Sequence, residues 1–252
     1  MMNNSHIESG IQLFKRLNRK TCLEGINPHF FADGGPLPNQ VIEITGDQRD
    51  KNDLLIDFIV KCILPNKYNP EWKSSGAVLI LTEHQINILK IIKVIETHLK
   101  TNKILDSSKS ILEMSLKNLT IFNCYSAEDL DITIINLERL ILAKDNINLV
   151  VFDNISSYYW IAKQDINTLS YYQHSSNIFP KIFNVIKTLN VLLIFTRSKK
   201  ANFGSKKSFP NVDYQINIED REDHCKQVEV TDFAAKKSVS VKYKANIIVE
   251  FL

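Results

Sequence analysis

Five short, almost unbroken apolar runs recur through the first part of the chain: "VIEIT" (41–45), "AVLIL" (77–81), "LTIFN" (119–123), "LVVFD" (149–153) and "VLLIF" (191–195). More than any other feature, they limit the folds open to this sequence. A strand that is apolar at successive positions, rather than at alternate ones, is one buried on both faces. Between the runs lie stretches with apolar residues three or four apart: Leu54, Leu55, Phe58 and Ile59; Ile88, Ile91, Ile92, Ile95 and Leu99; Leu130, Ile134, Leu137 and Ile141; Ile182, Phe183, Ile186 and Leu189. That is the spacing of helices with one buried face. Strands alternating with helices of this length require crossover connections, which are right-handed and make the sheet parallel. The expected fold is α/β, a doubly wound and mostly parallel sheet with helices on both faces.

After Thr196 the pattern changes to the short alternating runs "VDYQINIE", "KQVEVT", "SVSVKY" and "NIIVEFL", expected to form an antiparallel C-terminal extension of the same sheet. At the other end, Ile11, Phe14 and Leu17 predict a short amphipathic helix, followed by the loop "FFADGGPLPN". The expected organisation is an N-terminal helix and linker over 1–40 and a single core domain over 41–252, within which "PNKYNPEWKSSG" (65–76) is a loop.

Composition removes several function classes. A hydrophobic content of 44% in 252 residues fills a full core, and a net charge of +3 is too small to imply nucleic acid without local clusters. The four cysteines (Cys22, Cys62, Cys124, Cys225) form no C-x-x-C pair, so a reducing interior is expected. The polar start "MMNNSHIESG" is no signal peptide and no apolar run approaches the roughly 20 residues that span a bilayer; the expected protein is neither secreted nor membrane-bound. The six histidines form no H-E-x-x-H or Cys/His cluster and no G-x-S-x-G occurs, so neither a metal centre nor a nucleophile motif is expected.

The strand-to-helix turn in "EITGDQRDKNDLL" (43–55) sits where a phosphate-binding loop would be. Such a loop, G-x-x-x-x-G-K-[ST], uses its glycines to curl backbone N–H groups around phosphate and its Lys to reach the terminal phosphates. Here Gly46 and Lys51 remain, one residue too close together; the second glycine is replaced near Asp50, and Asn52 stands where Ser or Thr would ligate Mg²⁺. Asp47, Asp50 and Asp53 crowd the turn, and a like-charge pair at 4 Å costs roughly 4 kcal/mol at an effective dielectric of about 20. The alternative is a helix start capped by Asp53 or Asn52, with Arg49 and Lys51 paired to the aspartates.

In this order of elements, "ESGIQLFKRL", "PHFFADGGP", "KCILP", "LILTEH" and "LVVFDNISSYYW" resemble the RecA-type recombinase paralogue family. The resemblance extends over about the first 195 residues and implies a RecA-like core with no separate domain in front of it. It further implies that Glu83 of "LTEH" orients an attacking water and that Asp153 of "VVFD" holds Mg²⁺ through its hydration shell. Each carboxylate has a second reading, as an acceptor for neighbouring loop N–H groups. The Asn or Gln with which the family ends its fifth strand has no counterpart in "LIFTRSKK".

The resemblance also implies that the loop after that strand touches single-stranded DNA. "RSKKANFGSKK" (197–207) carries Arg197, Lys199, Lys200, Lys206 and Lys207 around Phe203, which suits phosphate tracking and base stacking, or else a solvated basic loop. Tyr158, Tyr159 and Trp160 cannot all face one core, so at least one ring is expected at the surface or an interface. With Ile11, Phe14 and Leu17 they are the candidate partner-binding residues; that N-terminal helix packing on its own core is the other reading. The expected function is that of a paralogue subunit in homologous-recombination repair in the nucleus. It would assemble with other recombinase paralogues on single-stranded or branched DNA and need no cofactor, ATP and Mg²⁺ being disfavoured by the turn. The alternatives are an active DNA-dependent ATPase and a doubly wound binding protein unrelated to DNA.

Overall fold

The computed structural model describes residues 9–10, 13, 22–31, 34–104, 107–166, 168–198, 208–220, 226–245 and 249–251. Among the described residues nine strands form one sheet: β1 (Val41–Gly46), β2 (Gly76–Leu81), β3 (Leu119–Asn123), β4 (Ile147–Phe152), β5 (Leu192–Ser198), β6 (Tyr214–Asp220), β7 (Lys226–Asp232), β8 (Lys237–Ala245) and β9 (Val249–Phe251). Six helices are described: α1 (Gln48–Ile63), α2 (Ile88–Thr101), α3 (Ser108–Lys117), α4 (Ala127–Ala143), α5 (Tyr159–Asp165) and α6 (Tyr171–Lys187). The strand order is β3-β2-β4-β5-β1-β6-β7-β8-β9.

The five apolar runs are the strands β1 to β5, and every pairing among them is parallel. The fold is a RecA-like α/β sheet with antiparallel strands at its C-terminal end. One detail differs from the sequence expectation: β6 joins β1 in parallel, and the antiparallel part begins at the β6–β7 pair. Sequence alternation reads how one strand's faces are covered, not the direction of its neighbour. The strand β3 also departs from the expectation of burial on both faces. It is the edge of the sheet and only partly buried.

Alternate residues of the central strands feed two cores. Ile42, Ile44, Leu79, Val151 and Ile194 pack with α1, α2 and α3, whereas Val78, Ile80, Val150, Phe152 and Phe195 pack with α4 and α6. Leu23, Ile26, Phe30 and Phe31, preceding β1, belong to the first core, and Phe31 meets Tyr214 edge-on with ring centroids 4.9 Å apart. Because α1 is covered nearly all round, its polar residues have to be partnered. Asp57 lies 3.3 Å from Lys61 and 3.4 Å from His98, and Lys61 lies 2.8 Å from Glu71.

The central place of β1 governs the turn that follows it. Gly46 has φ +148, and a Cβ there would stand 2.9 Å from both Cβ and the carbonyl oxygen of Ile218 on β6. Both the conformation and the close approach exclude a side chain. We expect Gly46→Ala to lower the unfolding free energy by about 2–4 kcal/mol, seen as a shift of the urea midpoint. An unchanged midpoint would show that β1 and β6 can separate without loss.

Candidate functional site

The helix α1 begins at Gln48, so a single residue, Asp47, joins it to β1. A loop that wraps phosphate needs several residues between strand and helix, and none are left over here. Gly46 is retained for its packing against Ile218. The capping expectation is corrected: the N-cap is Asp47, without a side-chain cap bond, and neither Asn52 nor Asp53 caps the helix. Asn52 accepts from Gln48, and Asp53 pairs with Lys90 of α2. Asp50 is 2.9 Å from Lys226 of β7, which also pairs with Asp220. Carboxylate oxygens of Asp47, Asp50 and Asp220 lie within 4.8 Å of one another, so carboxylates and one lysine fill the approach to the turn. The residues present do not make a cradle for a triphosphate.

Lys51 does not pair with those aspartates at the surface, as the sequence reading allowed. One turn into α1 it points inward, 1% exposed, and its ammonium donates to the Arg197 carbonyl at 3.3 Å. Burial brings it down to about 8, against the opposing pull of Glu83, Asp153 and Asp47. The sequence-predicted carboxylates are therefore gathered around it at the C-terminal ends of adjacent strands. Asp153, fully buried, accepts the Glu83 N–H on Oδ2 at 3.2 Å, and its Oδ1 has no hydrogen-bond partner among the described residues. Burial pushes the Asp153 carboxyl up to about 6; the N–H of Glu83 opposes this, the Glu83 carboxylate reinforces it, and Lys51 and the N–H of Thr82 oppose it again.

Glu83 is held from the side. Asn154 donates its amide to Glu83 Oε1 and, at 2.9 Å, to Ser198 Oγ, while its own Oδ1 accepts the Ser156 N–H at 2.8 Å. Burial pushes the phenol of Tyr171 on α6 up, and the neighbouring Ser156 and Ser198 oppose that rise. These residues open onto a cleft of about 370 Å³ beyond the ends of β2, β4 and β5, walled by Tyr158, Tyr159, Trp160 and Tyr171. Such a position, outside the carboxyl ends of parallel strands, is where α/β sheets place ligands.

The three consecutive aromatic residues separate as their crowding requires. Tyr159 is 1% exposed, with its hydroxyl on the Leu169 carbonyl at 3.2 Å; Trp160 is 52% exposed; Tyr158 is half-buried. Tyr158 takes the left-handed conformation at φ 63 and donates its hydroxyl to the Cys124 carbonyl; burial pushes the phenol up to about 12. His84, also left-handed at φ 54, hydrogen-bonds the same carbonyl at 3.0 Å and stacks on Tyr125 at 4.3 Å. Two strained residues at adjacent strand ends thus converge on one acceptor.

Arg197 was expected on the basic loop and is instead the penultimate residue of β5. Its Nε lies 2.6 Å from the fully buried Glu43, and its guanidinium covers the Phe209 ring at 5.1 Å. The reason is electrostatic: Glu43 in the middle of the sheet needs a cation. Lys199, Lys200, Lys206 and Lys207, and Ile11, Phe14 and Leu17, lie outside the described residues. Sequence reading missed Asn154, Tyr171, Ser198 and Tyr125. The first could have been suspected as the polar neighbour of a strand-end carboxylate; the others are brought in only by the fold.

No family model matches the chain. A curated relative, DNA repair protein XRCC2 of Mus musculus, is 29% identical over 161 residues, which cover 61% of this chain and 54% of that protein. The chain resembles XRCC2 and the RecA-paralogue family. It spans about half the length of the XRCC2 it matches. The likeness to XRCC2 and the parallel sheet with antiparallel C-terminal strands agree with each other.

The raised Asp153 carboxyl has a measurable consequence. Its folded value of about 6 exceeds the ordinary 3.8, so the native state holds a proton that the unfolded state has released, and stability falls as pH rises through that window. In Asp153→Asn this loss is removed. Its unfolding free energy should gain on that of the unaltered chain by up to about 3 kcal/mol between pH 4 and pH 7, measured by urea titration at each pH. Parallel curves for the two proteins would mean that Asp153 is solvated.

Proposed function

We propose that this chain is a subunit of a nuclear recombinational DNA-repair assembly, associating with other recombinase paralogues and aiding a recombinase on single-stranded DNA without hydrolysing ATP. The likeness to a DNA repair protein supports the repair role. The single-residue turn at Asp47, with the acidic group of Asp47, Asp50 and Asp220 beside it, is the observation that carries the absence of turnover. A triphosphate brought there meets like charge and finds no wrapped backbone N–H groups. Among the described residues no helix is long and apolar enough to cross a membrane.

A second reading, a working DNA-dependent ATPase, draws on the gathering of Glu83, Asp153 and Lys51 at one place. Titration with a fluorescent ATP analogue in Mg²⁺ separates the two. The subunit reading expects no saturable binding at micromolar concentrations; micromolar affinity abolished by Lys51→Ala would establish the other. Pull-down of candidate paralogues by the tagged chain, with light scattering of the chain alone, tests assembly. A stable monomer that captures none of them, or a homopolymer growing on DNA, would overturn the subunit reading.

The basic segment provides a separate prediction. Changing Lys199, Lys200, Lys206 and Lys207 to Ala should weaken binding of the assembled complex to single-stranded DNA and flatten its dependence on salt, because fewer counterions are released. Arg197, whose guanidinium pairs with Glu43, is left out of that set. Fluorescence anisotropy at several salt concentrations measures the slope; an unaltered slope would assign the lysines to solvent.

A further inference from the structure

The cleft beside Glu83 has a chemistry that the repair role does not account for. Its walls are four aromatic rings and its charged group is the Glu83 carboxylate; hydroxyls, one amide and Ile161 complete the lining, and no Lys, Arg or His lines it among the described residues. Glu83 Oε1 is taken by Asn154, whereas Oε2 has no hydrogen-bond partner among the described residues. Behind it stand Asp153 and Lys51, so within this group of three two carboxylates face one ammonium. The ring faces already attract a cation: Lys163 Nζ lies 5.6 Å from the centroids of both Tyr159 and Trp160.

We propose that this cleft receives the guanidinium of an arginine side chain from a partner protein. The planar group stacks on an aromatic wall while its N–H fork meets the open Glu83 oxygen, a combination an ammonium satisfies less well. A nucleic-acid phosphate is disfavoured by the same carboxylate. A free polyamine would satisfy the charge and leave the rim uncovered, because Trp160, Ile161 and Ile166 are each more than half exposed around α5. An apolar, aromatic rim around one desolvated charge pair is how protein interfaces build their anchoring points. The proposal rests on reading the chain as a subunit of an assembly and names the contact that such a partner makes.

The two tryptophans make the test internal to this chain. Trp72 is buried in the core and Trp160 is at the cleft, so their indole N–H signals in an ¹⁵N-correlated NMR spectrum serve as control and reporter. Titration with N-acetyl-arginine amide should move the Trp160 signal saturably at millimolar concentration and leave Trp72 in place. The neutral isostere N-acetyl-citrulline amide should move neither. Glu83→Gln, which keeps the size of the side chain and an acceptor for Asn154, should weaken the arginine response at least tenfold. The proposal fails if Trp160 is unmoved, or if Glu83→Gln responds like the unaltered chain. It fails also if spermidine binds more tightly than the arginine probe, which would make the site one for small amines. Oligothymidylate moving Trp160 equally in both proteins would make it a base-stacking surface. A chain that captures paralogues yet shows no arginine response sinks this proposal alone, whereas failed capture bears on the assembly itself.

Discussion

Glu43 lies in the middle of the central strand β1 with no exposure to solvent, and the sheet around it is arranged to neutralise it. An isolated buried carboxylate costs several kcal/mol, so partners must converge from every side. They come from three places in the chain: Arg197 of β5 at 2.6 Å, Ser208 ahead of β6, and Gln215 of β6 at 3.2 Å. The charge thus fastens β1 between its two neighbours. It also commits the Arg197 head group to the interior and presents the Arg197 carbonyl to Lys51. From there the chain of charges continues through Asp153 and Glu83 to the rim of the cleft. One buried acid in the sheet therefore sets where two cations go, and the residues left to meet a ligand are those the network does not satisfy.

The order of strands and helices was legible because each repeats a local rule over many residues. Continuous apolar runs gave β1 to β5 within three residues at either end, and three-to-four spacing gave α1, α2, α4 and α6. Two helices went unread. In α3 only Ile111 and Ser115 are buried, so its apolar signal is thin, and α5 is seven residues long, with Tyr159 its one buried residue and Trp160 and Ile161 exposed. Periodicity cannot announce a helix that hides so little.

The site was legible in its parts but not in its state. Glu83 and Asp153 were identified on the resemblance and Lys51 on the phosphate-loop pattern, and the fold gathers the three. A sequence cannot say whether a lysine after a glycine faces solvent or core, since that depends on where the helix starts. Here the start at Gln48 turns Lys51 inward and leaves Asp47 exposed, while Asp50 is buried against Lys226. Asp220 and Lys226 are more than 160 residues from that turn, and only the parallel docking of β6 on β1, with β7 beyond, brings them to it. Arg197 misled for a related reason: it opens a basic run in the sequence, but β5 continues through it to Ser198.

The two ends of the rim carry different kinds of acid, and the difference decides what each can do. At β1 Lys226 pairs with both Asp50 and Asp220, and Asp47 and Asp220 are open to solvent. At β2 and β4, Glu83 faces an aromatic cleft with one oxygen tied down and the other open, and Asp153 behind it has an oxygen, Oδ1, with no hydrogen-bond partner among the described residues. An unpaired carboxylate in a low-dielectric wall interacts far more strongly with an incoming cation than a solvated one does. The strain at His84 and Tyr158 fits the same picture, because left-handed residues persist only where the surroundings hold them. Both are tied to the Cys124 carbonyl, so the wall bearing Glu83 and the wall bearing Trp160 are braced through one acceptor before any partner arrives. A cleft held open in this way spends little of its binding free energy on ordering its walls.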